Sequence, residues 1–270
     1  MAKRPRQKKR RDARPTATPR IRALTTGAGI LALVAVVGGI LISPVGNVAG
    51  IFSGEDNTRR AVIVDQLSAS QPNPAFAESA TRILEVDGYA VDYYSGDQVT
   101  VDLYRNLPRG EYDLVILRTH STAVVSRGEE DVQAVSLFTN EPYSETEYRD
   151  EQLAGKIGFA QYSDEGPKWF GVTTKFVKES MKGNFNDALV IGMGCQGLVN
   201  DLAAEAFSAK GADAFIGWDS NVSAEHTDKA TERVLQLVTA DGLSASEAAA
   251  KTMSELGPDP YFGGSLVARP

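Results

Sequence analysis

Two kinds of apolar pattern run along this chain. From Ala23 to Gly54 no charged residue occurs, and Ile30 to Ile42 consists only of Ile, Leu, Val, Ala and Gly. With its flanks this run reaches the roughly 20 residues that cross a bilayer. It has no polar face, so residues 23–53 are predicted to form one transmembrane segment. Beyond it the pattern becomes short apolar runs alternating with amphipathic stretches. Arg60–Asp65, Asp113–Arg118, Ala188–Gly192 and Asp213–Trp218 are compact and rich in apolar residues, as in strands buried on both faces of a parallel sheet. Pro74 to Glu85 reads as a helix, with Asn73 as N-cap, Pro74 in the first turn and Phe76, Ala80, Ile83 and Leu84 on one face. Gly88 stops it, and Tyr89 to Tyr94 alternates as a strand. Val99 to Leu107 reads as a short helix ended by Pro108 and Gly110. Thr174 to Met181 reads as another, ended by Gly183. Helices are also expected at 198–209, 224–239 and 244–255, and an edge strand at 264–267. Residues 122–170 are the least regular, with strands expected at Val132–Phe138 and Lys156–Gln161. The alternation of strand and helix predicts an α/β domain: an open, mostly parallel sheet with helices on both faces.

Charge gives the apolar run a direction. Residues 1–22 hold ten Lys or Arg and one Asp, a net of +9, so the whole-chain net of -7 leaves -16 for the remainder. Basic residues before a membrane segment stay in the cytoplasm, and Glu55 and Asp56 follow it. The expected organisation is a basic, disordered cytoplasmic tail (1–22), a signal-anchor (23–53) and an extracytoplasmic α/β domain (54–270). A cleaved signal peptide is the competing reading, with a weak small-residue site at Val48-Ala49-Gly50. About 215 residues remain for folding, enough for one domain with a full core. An acidic body does not fit a nucleic-acid partner.

In such sheets the working residues gather outside the carboxyl ends of the strands. One apolar run delivers His120 to that edge and another delivers Cys195, the only cysteine of the chain. A lone cysteine is often a buried small hydrophobe. Beside an imidazole it has a second use, because the base can take the thiol proton and later protonate a leaving amine. Gly194 and Gly197 leave room around the sulfur. The N–H groups of Cys195 and of a residue near Ser121 are candidates for an oxyanion hole, aided by the N-terminus of the following helix. Gly192-x-Gly194-x-x-Gly197, with Asp219 further on, also matches a dinucleotide fingerprint formally. His226 lacks a third ligand for a metal and reads as a helix terminus. The run Glu129-Glu130-Asp131 lacks the alternation of a calcium loop.

An apolar strand leading to His120, and a later one leading to Gly194-Cys195-Gln196-Gly197, resemble the caspase-like (clan CD) cysteine peptidases, which include gingipains and clostripain. Leu202–Phe207 and Lys210–Trp218 add to the resemblance, which spans roughly residues 60–240. It implies a caspase-like α/β/α sandwich and a peptide or protein substrate, with Cys195 as nucleophile and His120 as general base. It implies Ser121 and Gly194 at the oxyanion site, and Trp218, Asp219, Ser220 and Asn221 at the pocket for the side chain before the scissile bond. Asp219 there would favour a basic side chain. No cofactor is expected, although calcium occurs in clostripain-type relatives. The chain departs from the family in having Ser121, where Gly commonly follows the histidine; this leaves an inactive, partner-binding relative as an alternative.

Overall fold

The computed structural model describes residues 58–125, 131–163 and 165–270. The tail and the transmembrane segment expected within residues 1–57 lie outside the described residues. Among the described residues no helix is long and apolar enough to cross a membrane.

The chain begins with β1 (Arg60–Asp65), α1 (Pro74–Val86), β2 (Ala90–Ser95), α2 (Val101–Asn106) and β3 (Leu114–Arg118). An antiparallel unit follows, with β4 (Ser121–Val125), β5 (Val132–Pro142), α3 (Arg149–Leu153), β6 (Ile157–Gln161) and β7 (Lys168–Thr173). The alternation then resumes through α4 (Thr174–Ser180), β8 (Ala188–Gly192), α5 (Leu202–Ser208), β9 (Ala212–Trp218), α6 (Ala224–Thr239), α7 (Ala245–Leu256) and β10 (Leu266–Arg269).

The main sheet has the order β10-β9-β8-β3-β1-β2, parallel except for the antiparallel edge strand β10. Its inner strands β1, β3, β8 and β9 are apolar on both sides, and side chains alternate between faces. Ala61, Ile63, Leu114 and Ile116 pack with α1, α6 and α7, whereas Val62, Val64, Val115 and Leu117 pack with α2, α4 and α5. Helices therefore cover both faces. The Asn73 side chain accepts from the Phe76 N–H and caps α1, as its position before Pro74 implied.

Two features differ from the sequence expectation. The segment 121–173 forms a separate four-stranded antiparallel sheet of order β4-β5-β7-β6. Its inner residues Val135, Leu137, Ile157, Phe170 and Val172 join the core on the α2, α4 and α5 side. β4 had no signal of its own because only Thr119 and His120 separate it from β3. β7 was hidden because it runs directly into α4.

The other difference concerns α5, which starts at Leu202 rather than 198. Before it, Gln196 N–H donates to Ser220 O and Leu198 N–H to Trp218 O, both at 2.8 Å. These bonds tie the segment to the end of β9 and keep it from entering the helix.

Candidate functional site

β3 and β8 are parallel neighbours, with Leu117 level with Gly192. The chain leaves both strands at the same edge, so His120 and Cys195 emerge together. They line one open cleft of about 600 Å³, with Gln71, Asn221, Ser223 and Phe262 among its other walls.

Gly194 brings the two segments into contact. A Cβ at this position would overlap Ser121 Oγ and the Thr119 carbonyl, and would lie 2.9 Å from Ser121 N. Only glycine lets the cysteine turn approach the His120 segment so closely. Ser121 Oγ donates to the Cys195 carbonyl at 2.6 Å and locks the approach. Gln196 takes a left-handed φ of 59°, uncommon for a residue with a Cβ. Its side chain secures the turn by accepting from Ala123 N–H at 2.8 Å.

The N–H groups of Ser121 and Cys195 belong to the two segments that Gly194 brings together. Phe138 N–H donates to the His120 carbonyl, and Ser121 pairs with Leu137. Ser121–Leu137 is therefore a non-hydrogen-bonded pair, and the Ser121 N–H points away from β5. It points the same way as the Ala123 N–H, toward the cysteine turn. Among the described residues no acceptor takes the Cys195 N–H.

The imidazole of His120 is half-buried between aromatic rings, with centroids 4.6 Å from Tyr162 and 5.8 Å from Phe138. Burial, and then the charge of Arg118, push its pKa below 6.5. The His120 backbone is fixed by Gln66, whose Oε1 accepts its N–H at 2.9 Å. Gln66 Nε2 donates to Asn140 Oδ1 and to the Tyr162 hydroxyl. This buried network joins the ends of β1 and β3 to the second sheet. Arg118, fully buried two residues before His120, bonds Asp65 at 2.7 Å and Asp228 at 2.8 Å.

The sulfur of Cys195 accepts from Val222 N–H at 3.4 Å and donates to Val222 O at 3.5 Å. Among the described residues no hydrogen bond links it to His120. Catalytic hydrogen bonds are often loose before substrate binds.

Of the expected pocket residues Asn221 lines the cleft, and the other three do not. Trp218 is fully buried, its Nε1 donating to Thr227 Oγ1. Asp219 is exposed and its carboxylate accepts from Ser265 N–H at 2.7 Å. Ser220 contributes its carbonyl to Gln196. The cleft wall on that side comes from Asn221, Val222, Ser223 and Ala224. Asp259 holds its rim: burial opposes ionisation, but bonds from Ser223, Phe262 and Tyr261 prevail and bring the pKa to about 2. Phe262 thereby sits against the cleft.

Sequence reasoning missed Gln66, Tyr162 and Val222. Gln196 was visible between the two glycines, but its bond to Ala123 depends on β4. His226 Nε2 lies 3.1 Å from the Gly257 carbonyl, which ties α6 to the end of α7. Of the formal dinucleotide glycines Gly194 packs against backbone, and α5 begins five residues beyond Gly197. Among the described residues no group of three or more His, Cys, Asp or Glu gathers as a metal site. Glu129 and Glu130 lie outside the described residues.

No protein-family model and no curated protein matches this chain.

Proposed function

We propose that this chain is a membrane-anchored, extracytoplasmic cysteine endopeptidase of caspase-like fold. The supporting observation is that His120 and Cys195 leave adjacent parallel strands at one edge and face one cleft. His120 takes the thiol proton, and Sγ attacks the peptide carbonyl carbon to form a C–S bond. The carbonyl oxygen, now an oxyanion, accepts from the N–H groups of Ser121 and Cys195. The imidazolium gives its proton to the departing amine nitrogen as the C–N bond breaks. His120 next deprotonates a water, which attacks the thioester, releases the acid and returns the thiol. The chemistry needs no cofactor. The +9 tail and the apolar run of residues 23–53 support the anchor and its direction.

A second reading is a non-hydrolysing ectodomain that binds a partner, favoured by the engagement of Sγ with Val222 instead of the imidazole. The full-length chain in detergent, assayed on a mixed fluorogenic peptide library, separates the two. The peptidase reading requires hydrolysis by the wild type and its loss in Cys195→Ala at unchanged circular dichroism. Absence of hydrolysis, with Cys195→Ser fully functional in cells, leaves the binding module.

A further inference from the structure

A histidine that serves a nucleophile needs its ring held as well as its main chain, and a third group that accepts from the far ring nitrogen commonly does this. Among the described residues no hydrogen bond reaches either ring nitrogen of His120, and Arg118 is the one charge that acts on the ring. The main chain of His120 is pinned at both ends. Its N–H donates to Gln66, and its carbonyl accepts from Phe138 N–H at 3.0 Å and from Thr119 Oγ1 at 2.6 Å. Packing restrains the ring. His120, Phe138 and Tyr162 touch pairwise, and Phe138 and Tyr162 are stacked with centroids 5.4 Å apart. Neither Phe138 nor Tyr162 lines the cleft that His120 shares with Cys195, so the two rings cover the part of the imidazole that does not face the cleft. Tyr162 is the nearer ring, and Gln66 Nε2 donates to its hydroxyl at 2.6 Å. Gln66 is fully buried, and its Oε1 accepts the His120 N–H. One amide thus fixes both the main chain of His120 and the ring packed on its imidazole. Burial raises the Tyr162 phenol above its usual 10, so Tyr162 is neutral and acts on the imidazole by shape, not by charge.

We infer that Tyr162, held by Gln66, is the positioning residue for His120, its ring keeping the imidazole turned to the cleft. A hydrogen-bonded acceptor does this for the histidine of a Ser-His-Asp triad. The inference rests on the peptidase reading and deepens it. A His120 ring turned off the cleft would have to displace a side chain that Gln66 anchors. Tyr162 is 43% exposed, so its removal admits water to the imidazole instead of leaving a sealed cavity.

The test compares wild type, Tyr162→Ala and Tyr162→Phe as full-length chains in detergent, by peptide hydrolysis and by NMR titration of the His120 ring. Tyr162→Ala is expected to lose about 10- to 100-fold in kcat, the cost of a misplaced reacting group, with KM within about twofold of wild type. Its His120 midpoint is expected to rise toward the ordinary histidine value as water reaches the ring. Tyr162→Phe keeps the ring, and is expected to hold kcat within about fivefold of wild type and to leave the midpoint in place. A folded Tyr162→Ala with wild-type kcat, with a loss confined to KM, or with an unmoved His120 midpoint overturns the inference and leaves the peptidase reading standing. So does a Tyr162→Phe as impaired as Tyr162→Ala, which would give the role to the hydroxyl and not to the ring. No hydrolysis by the wild type, with no labelling of Cys195 by a peptidyl ketone, overturns both. Tyr162→Leu gives the same readouts where Tyr162→Ala does not fold.

Discussion

Gly194 is the residue on which the site's closeness depends. Adding a methyl group there forces the cysteine turn away from Thr119 and Ser121, whereas a Cβ on Gly197 meets its nearest atom at 3.8 Å, an ordinary contact. Gly194→Ala is expected to lose about 1–3 kcal/mol of stability, while Gly197→Ala stays within about 0.5 kcal/mol of wild type. Urea unfolding of the two variants checks the contrast. His120 gives a second expectation at this scale. Its pKa is lowered in the native state, so between that value and 6.5 the unfolded chain binds a proton that the native chain does not. Stability is level above this window and falls as pH drops through it. An NMR titration is expected to give a His120 midpoint below 6.5; a midpoint above it would mean that an anionic partner holds the imidazolium. His120 and Cys195 were legible because each follows a continuous apolar run. Gln66 and Tyr162 were not, because a buried polar side chain far along the chain looks like any loop residue until its partners are known.

Among the elements, β1, β3 and α6 are bound together by one side chain. Arg118 at the end of β3 reaches Asp65 at the end of β1, Asp228 in α6 and the Gln71 carbonyl. Removing one partner from a buried ion cluster is far worse than never having built it. Arg118→Met leaves two carboxylates unpaired and is expected to destabilise the fold by about 3–5 kcal/mol. A shift of under 1 kcal/mol in chemical denaturation would mean that the cluster contributes little. The strands that carry this cluster could be read from sequence, since their apolar runs are unbroken. The second sheet was only partly legible. β5 continues past Phe138 through Thr139 and Asn140, which are buried by hydrogen bonds and not by hydrophobicity. That extension has no apolar pattern to detect. The start of α5 was misjudged for a related reason, because bonds to Trp218 and Ser220 hold the preceding turn out of the helix.

For the whole molecule, the α/β class follows from the order of apolar runs, and the structure bears it out in a mostly parallel sheet covered on both faces. Sheet order was not readable from that pattern, yet it is what makes neighbours of the strands leading to His120 and Cys195. The proposed activity depends on that adjacency more than on any single residue. Its most direct test is the rate at which a peptidyl electrophile labels Cys195 in the full-length chain, measured by mass spectrometry in wild type and in His120→Ala. If imidazole and thiol act as a pair, labelling is confined to Cys195 and slows by about 100-fold or more without His120. Equal rates in the two proteins, at equal folding, would contradict the pairing and with it the peptidase.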